Sequence, residues 1–274
     1  MRAFPFSLLW LCLLMQLTAC QENPGTVLRA GLAPTQSGSL GFSTVSFERR
    51  SEGCTEDAAC ARLLAVYPKA DSGPGELVAL VNDSILMYLR LSMSVFSTGP
   101  QQIAPDLDSI AREFILAYER FRLDVEENAP PWTVECKGKV LYQSPRVLSV
   151  ELDNFSFTGG AHPNSFKVLL VFDLASRKLL ELEDLIAEKE KFADLVESAF
   201  RRHYQLEEGE SLHEAGFFWD EPFFLPANGA LTERGLALVY NPYEAAPYVV
   251  GSTELDIPYH ELEGILRKEY FPPD

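Results

Sequence analysis

His162 stands in the most distinctive short stretch of the chain, Thr158-Gly159-Gly160-Ala161-His162-Pro163. Gly159 and Gly160 allow close backbone approach, and Pro163 fixes the backbone behind the imidazole. Such a histidine reads as a ligand or acid–base group on an exposed loop, with a carboxylate such as Asp173 as partner. It reads more simply as a turn residue that hydrogen-bonds to nearby backbone, and that reading carries more weight. A second patch, Tyr240-Asn241-Pro242-Tyr243-Glu244-Ala245-Ala246-Pro247-Tyr248, packs three tyrosines, two prolines and one acid into nine residues. It either offers a rigid aromatic surface to a partner or locks a long turn.

Other chemistry lacks its parts. There is no G-x-S-x-G elbow and no phosphate-cradling loop ending in Lys-Ser/Thr. His213-Glu214 and His260-Glu261 each begin a zinc motif without the second histidine, so no metal site or cofactor is expected. His203 falls on an apolar helical stripe and is expected in the core. Asp173 and Asp184 sit near element ends, where carboxylates cap.

The cysteines and the N-terminus set the compartment. Arg2, the apolar run Phe6 to Leu17 and Leu17-Thr18-Ala19-Cys20 read as a lipoprotein signal peptide over residues 1–19, with Cys20 the lipid-modified residue. Acyl chains on Cys20 would then hold the protein on the membrane, at the inner or the outer face of the envelope. Residues 20–41 lack period and suit a tether. Cys54 and Cys60 are spaced for a loop-closing disulfide in an exported protein. Cys136 shares a strand face with Trp132 and Val134 and reads as a buried thiol.

The formal net charge is −17, and loss of residues 1–19 removes Arg2 and no acid, giving −18. That balance argues against nucleic acid and favours cationic partners.

The elements that position these residues follow from period. A strand over Phe42–Phe47 is answered by Ala61–Tyr67, and Pro68–Gly75 breaks the chain. Helices are expected over Glu76–Met93 and from Asp106, a candidate cap, to residue 125. From Trp132 the period is two. The apolar set shifts from even to odd numbers at Phe155, which predicts a β-bulge near Asp153-Asn154. Phe166–Phe172 is apolar on nearly every position and reads as a central strand covered on both faces. A helix over residues 192–203, a hairpin turning at Asn228-Gly229, strands at Leu236–Tyr240 and Leu255–Ile257, and a short helix around Leu262–Leu266 complete the chain. The fold class is α+β: mainly antiparallel sheets with helices packed on one side, in two consecutive α+β units, 42–130 and 131–274.

Phe157-Thr158-Gly159-Gly160-Ala161-His162-Pro163, Phe172-Asp173, Leu180-Glu181-Leu182-Glu183-Asp184-Leu185, Gly235-Leu236, Tyr243 to Gly251 and Ile257-Pro258-Tyr259 carry a resemblance. In that order they resemble an exported bacterial domain family. It is shared with the extracytoplasmic region of lysozyme-sensing anti-sigma factors and with regions accompanying peptidoglycan deacetylases. Residues 42–130 look like the smaller α+β domain that often precedes it. The resemblance implies a binding module without catalysis, for lysozyme or another cationic envelope protein. Its surface would combine Gly159, Gly160, His162, Tyr240, Tyr243, Glu244 and Tyr248. The chain shows neither a transmembrane helix with a cytoplasmic segment nor a deacetylase domain, so direct anti-sigma activity and deacetylation are not expected. Its alternatives are an enzyme acting on cell-wall glycan or peptide through His162, and a structural subunit of an envelope assembly.

Overall fold

The structure, a computed structural model, describes residues 39–53, 60–96, 104–125, 129–219 and 222–272. The expected signal peptide, Cys20, most of the tether and Cys54 lie outside the described residues. Cys60 is disulfide-bonded.

The chain is a mixed α+β fold. Its larger sheet has six strands in sequence order: β1 (Gly41–Arg50), β2 (Ala61–Ser72), β3 (Trp132–Gln143), β4 (Val147–Phe157), β5 (Asn164–Asp173) and β6 (Lys178–Leu180). Neighbours run antiparallel except β2 and β3, which pair in parallel from Ala61–Trp132 to Val66–Lys137. The parallel step needs a crossover, and α1 (Gly75–Met93) and α2 (Leu107–Val125) supply it. The sheet thus runs straight through residues 130–131.

Each helix starts where its sequence allows. Pro74 precedes α1, and Asp106 Oδ1 accepts the Ser109 N–H at 2.7 Å to cap α2. Their buried stripes, Leu77, Val81, Ile85 and Leu89 on α1 and Ile110, Phe114 and Tyr118 on α2, close one face of the sheet. Cys136 is buried there with Val134, as expected, and burial pushes its thiol up to about 12.

The opposite face carries a second core. A three-stranded antiparallel sheet, β7 (Asn228–Leu231), β8 (Gly235–Tyr240) and β9 (Thr253–Pro258), packs there with α4 (Lys189–Tyr204), the short α3 (Leu182–Leu185) leading into it. In β4, therefore, Leu148, Val150 and Leu152 enter the helical core while Val147 enters the second one.

Several expectations need correction. No bulge interrupts β4 near Asn154, because its register with β3 and β5 is continuous there. Asn154 and Ser156 stay buried in the even-numbered phase while Phe155 is 39% exposed. The register irregularity lies in β3, between Val140 and Tyr142. Apolar identity misled at Phe155 because polar residues hold the inward positions.

β5 is not central; it is fifth of six, though its C-terminal half is covered on both faces. β2 continues through Pro68, since pairing with β3 ends at Val66 and no ladder hydrogen bond is needed there. Gly138 makes room for that proline, as a Cβ would lie 2.9 Å from Pro68 Cδ.

Asn228-Gly229 is not a turn. Both residues lie in β7, and the chain reverses at Thr232–Gly235, where the Thr232 N–H donates to the Gly235 carbonyl at 2.7 Å. Around Leu262–Leu266 the chain forms turns, not a helix, and Leu266 bridges to Ile186.

His203 is exposed rather than in the core. The stripe runs Phe192, Val196, Phe200 and on to Tyr204, whose hydroxyl reaches Thr253 Oγ1 at 2.6 Å, and His203 sits edge-on to Tyr204 at 4.7 Å.

Candidate functional site: an aromatic corner

The β4–β5 hairpin presents residues 158–163, and the β8–β9 connection presents 241–252. Asn241 joins the two connections. Its side chain accepts the Lys167 N–H at 2.7 Å and donates to the Lys167 carbonyl at 3.0 Å. An amide that satisfies both backbone groups of one residue acts as an extra strand residue, locking β5 to the end of β8. Glu244 folds back to accept the Asn241 N–H, and burial raises its pKa despite that bond. Lys167 also forms an ion pair with Glu254 at 2.7 Å.

On this clamp three rings pack together. His162 lies over Tyr248 with ring centroids 3.8 Å apart and 23° between planes, and Tyr243 is 5.7 Å from Tyr248 at 30°. The Tyr248 hydroxyl donates to the Pro163 carbonyl at 2.6 Å. His162 Nδ1 lies 2.8 Å from the same carbonyl and can only donate to it. Nε2 of a neutral ring is then an acceptor, 3.4 Å from the Tyr243 hydroxyl. Residues 81 apart in sequence are thereby one unit.

Backbone conformation serves this geometry. Gly159 has φ +80°, and a Cβ there would lie 3.0 Å from Trp132 Nε1, so the loop pivots where only glycine fits. Tyr243 has φ 70°, which is costly for an aromatic residue. Its N–H donates to the Ala246 carbonyl at 3.2 Å, and the strained turn leaves its ring 54% exposed. Val249, 90% exposed, and Val250 extend the apolar corner.

The structure brings His162, Tyr243, Glu244 and Tyr248 together. Gly159 shapes the loop from beneath, and Gly160 follows it as the next loop residue. Tyr240 belongs elsewhere: it is wholly buried, donates to the Phe224 carbonyl at 2.7 Å and packs on Phe200 and Phe218. Burial drives its pKa upward.

Asp173 is no partner for His162. It closes the far end of β5, about 30 Å away along an extended strand. There it is 2% exposed, accepts the Ala175 and Ser176 N–H groups at 2.9 and 3.1 Å, and pairs with Arg146 at 2.6 Å. Arg146 in turn lies over the Tyr270 ring at 5.6 Å. Burial opposes ionisation of Asp173, but those hydrogen bonds and Arg146 outweigh it and hold the carboxyl below its usual range. Asp184, exposed, acts only as a cap, accepting the Glu181 N–H at 3.0 Å. The role of Asn241 went unread in sequence, where its only signal was the adjacent Pro242.

Among the described residues no cluster of three His, Cys, Asp or Glu side chains could hold a metal ion, and no helix is long and apolar enough to cross a membrane.

Residues 183–260 match the family described as a protein of unknown function, DUF3298, and residues 76–165 match the family described as deacetylase PdaC. A curated relative is the peptidoglycan-N-acetylmuramic acid deacetylase PdaC of Bacillus subtilis, 19% identical over 204 residues. The match covers 72% of this chain but only 43% of that protein, so the chain spans less than half of its relative's length. A crystal structure of a DUF3298 family protein from Pseudomonas aeruginosa is similar at 25% identity, TM-score 0.62, over 87% of this chain and 99% of that one. A DUF3298 member from Bacteroides fragilis shares the fold at 18% identity, TM-score 0.65, over 85% and 96%.

Proposed function

We propose that this chain, which carries a DUF3298 domain behind a PdaC-type region, is a lipid-anchored, envelope-facing module that works by binding a cationic protein such as lysozyme. The observation that carries the reading is the corner in which His162 stacks on a half-buried Tyr248 and the exposed Tyr243 ring packs beside it, on a body of net charge −17. Exposed, pre-ordered tyrosines give contact area at low entropic cost, and their faces attract Lys and Arg side chains. The acidic body raises the rate of encounter with a basic protein at low salt.

Binding fits the site better than turnover does. His162 is engaged at both ring nitrogens, by Pro163 and Tyr243, and the carboxylate first considered for it stands at the other end of β5. The PdaC relative acts on peptidoglycan by its name, which supports an envelope setting for this chain as well.

The experiment is lysozyme retention by membranes from cells producing the chain. Retention at low salt that falls at moderate salt is expected, and a Cys20→Ser chain should carry the retention into the soluble fraction. No salt-sensitive retention in either fraction would remove the reading.

A further inference from the structure

The Leu180–Leu185 motif takes no part in the aromatic corner. It begins at the last residue of β6, which pairs with the C-terminal end of β5, whereas the corner stands at the other end of β5. Here the structure forms a groove of about 580 Å³, a size that takes several side chains or a small ligand. Its apolar lining is Leu182, Leu225, Pro226 and Ala227, underlain by the buried Ile186 and Phe192.

The groove is held in shape from behind. The Ala187 N–H donates to the Ile265 carbonyl at 2.8 Å, and the Arg267 N–H donates to Leu185 at 2.9 Å. Arg267 Nε donates to the Asp184 carbonyl at 2.9 Å. The rim carries Glu181, Glu183 and Asp184 against one cation, Lys189, which pairs with Glu183. An apolar floor under a rim of net negative charge selects for apolar and positive groups together.

We infer that this groove is a second binding site, for an extended basic segment of a partner protein in which apolar residues alternate with lysine or arginine. An apolar side chain lies against Leu182, Leu225 and Ala227, and the flanking cations meet Glu181 and Asp184. Charge complementarity commits the site to a basic occupant, and the floor distinguishes it from general attraction to an acidic surface. The site stands independently of the aromatic corner.

The test uses the full chain and two labelled peptides, Lys-Leu-Lys-Leu-Lys and Lys-Ser-Lys-Ser-Lys, followed by fluorescence anisotropy. The leucine peptide should bind at least about tenfold more tightly. Ala227→Trp, which fills the groove without changing charge, should weaken it about tenfold, as should Glu181→Lys with Glu183→Lys on the exposed rim. Equal binding of the two peptides would overturn the site. Should Ala227→Trp fail to fold by circular dichroism, unchanged binding by the rim variant still overturns it.

Discussion

Asp173 shows how a carboxylate legible in sequence takes its role from its surroundings. Sequence offered it as a cap or as a partner to His162, and the fold makes it the buried acceptor that closes the β5–β6 turn and holds Arg146 against Tyr270. Asp173→Asn keeps the shape but leaves Arg146 without its anion. A loss of about 1–2 kcal/mol in urea unfolding is expected near neutral pH, because Asp173 is buried while the Arg146 side chain, 38% exposed, remains partly solvated once its anion is gone. The pH dependence follows from the lowered pKa. The folded state binds this proton more weakly than the unfolded chain, so the stabilisation is complete above the unfolded carboxyl's value and fades as pH falls through the folded one. The asparagine variant should lack that part of the acid decline; an acid limb as steep as in the unaltered chain would contradict the assignment. His203 teaches the complementary lesson. Steps of three and four fitted it to the stripe, but the buried line ran by fours to Tyr204, and period alone does not choose between neighbours one residue apart.

Elements were legible where period was strong and turn chemistry was unambiguous. α1 and α2 occupy the spans expected of them, and β1 and β2 pair as expected, since apolar stripes and strand alternation report burial directly. Turn signals fared worse. Asn228-Gly229 carries strong hairpin chemistry, yet Asn228 accepts the Leu169 N–H at 3.2 Å and Gly229 packs against Leu182, both through contacts distant in sequence. The true turn depends on Gly235, where a Cβ would lie 2.0 Å from the Ile257 carbonyl oxygen of β9. Gly235→Ala must therefore part β8 from β9. A cost of about 1–3 kcal/mol, read as a lower urea midpoint, is expected from such overpacking. An unchanged midpoint would mean that the β8–β9 ladder is looser than described. The parallel β2–β3 step was not readable, because strand direction depends on which neighbours meet and not on local sequence.

At the scale of the whole molecule, one six-stranded sheet carries two cores, and the aromatic corner arises where the connection from the smaller sheet meets the β4–β5 hairpin. Both motifs of the corner were visible in sequence, but their union was not, since it depends on the Asn241 clamp and on ring stacking between distant residues. The acidic balance was plain from composition. Tyr243 offers a clean separation of binding from stability. Asn accepts a left-handed backbone far better than Tyr, so Tyr243→Asn removes the exposed ring while relieving the turn. The decisive measurement is calorimetric titration of lysozyme into the unaltered chain and into Tyr243→Asn at low and moderate salt. The account predicts salt-sensitive binding that weakens at least about tenfold in the variant, with the melting temperature held or raised. Equal binding by the two proteins, or none by the unaltered chain, would contradict it.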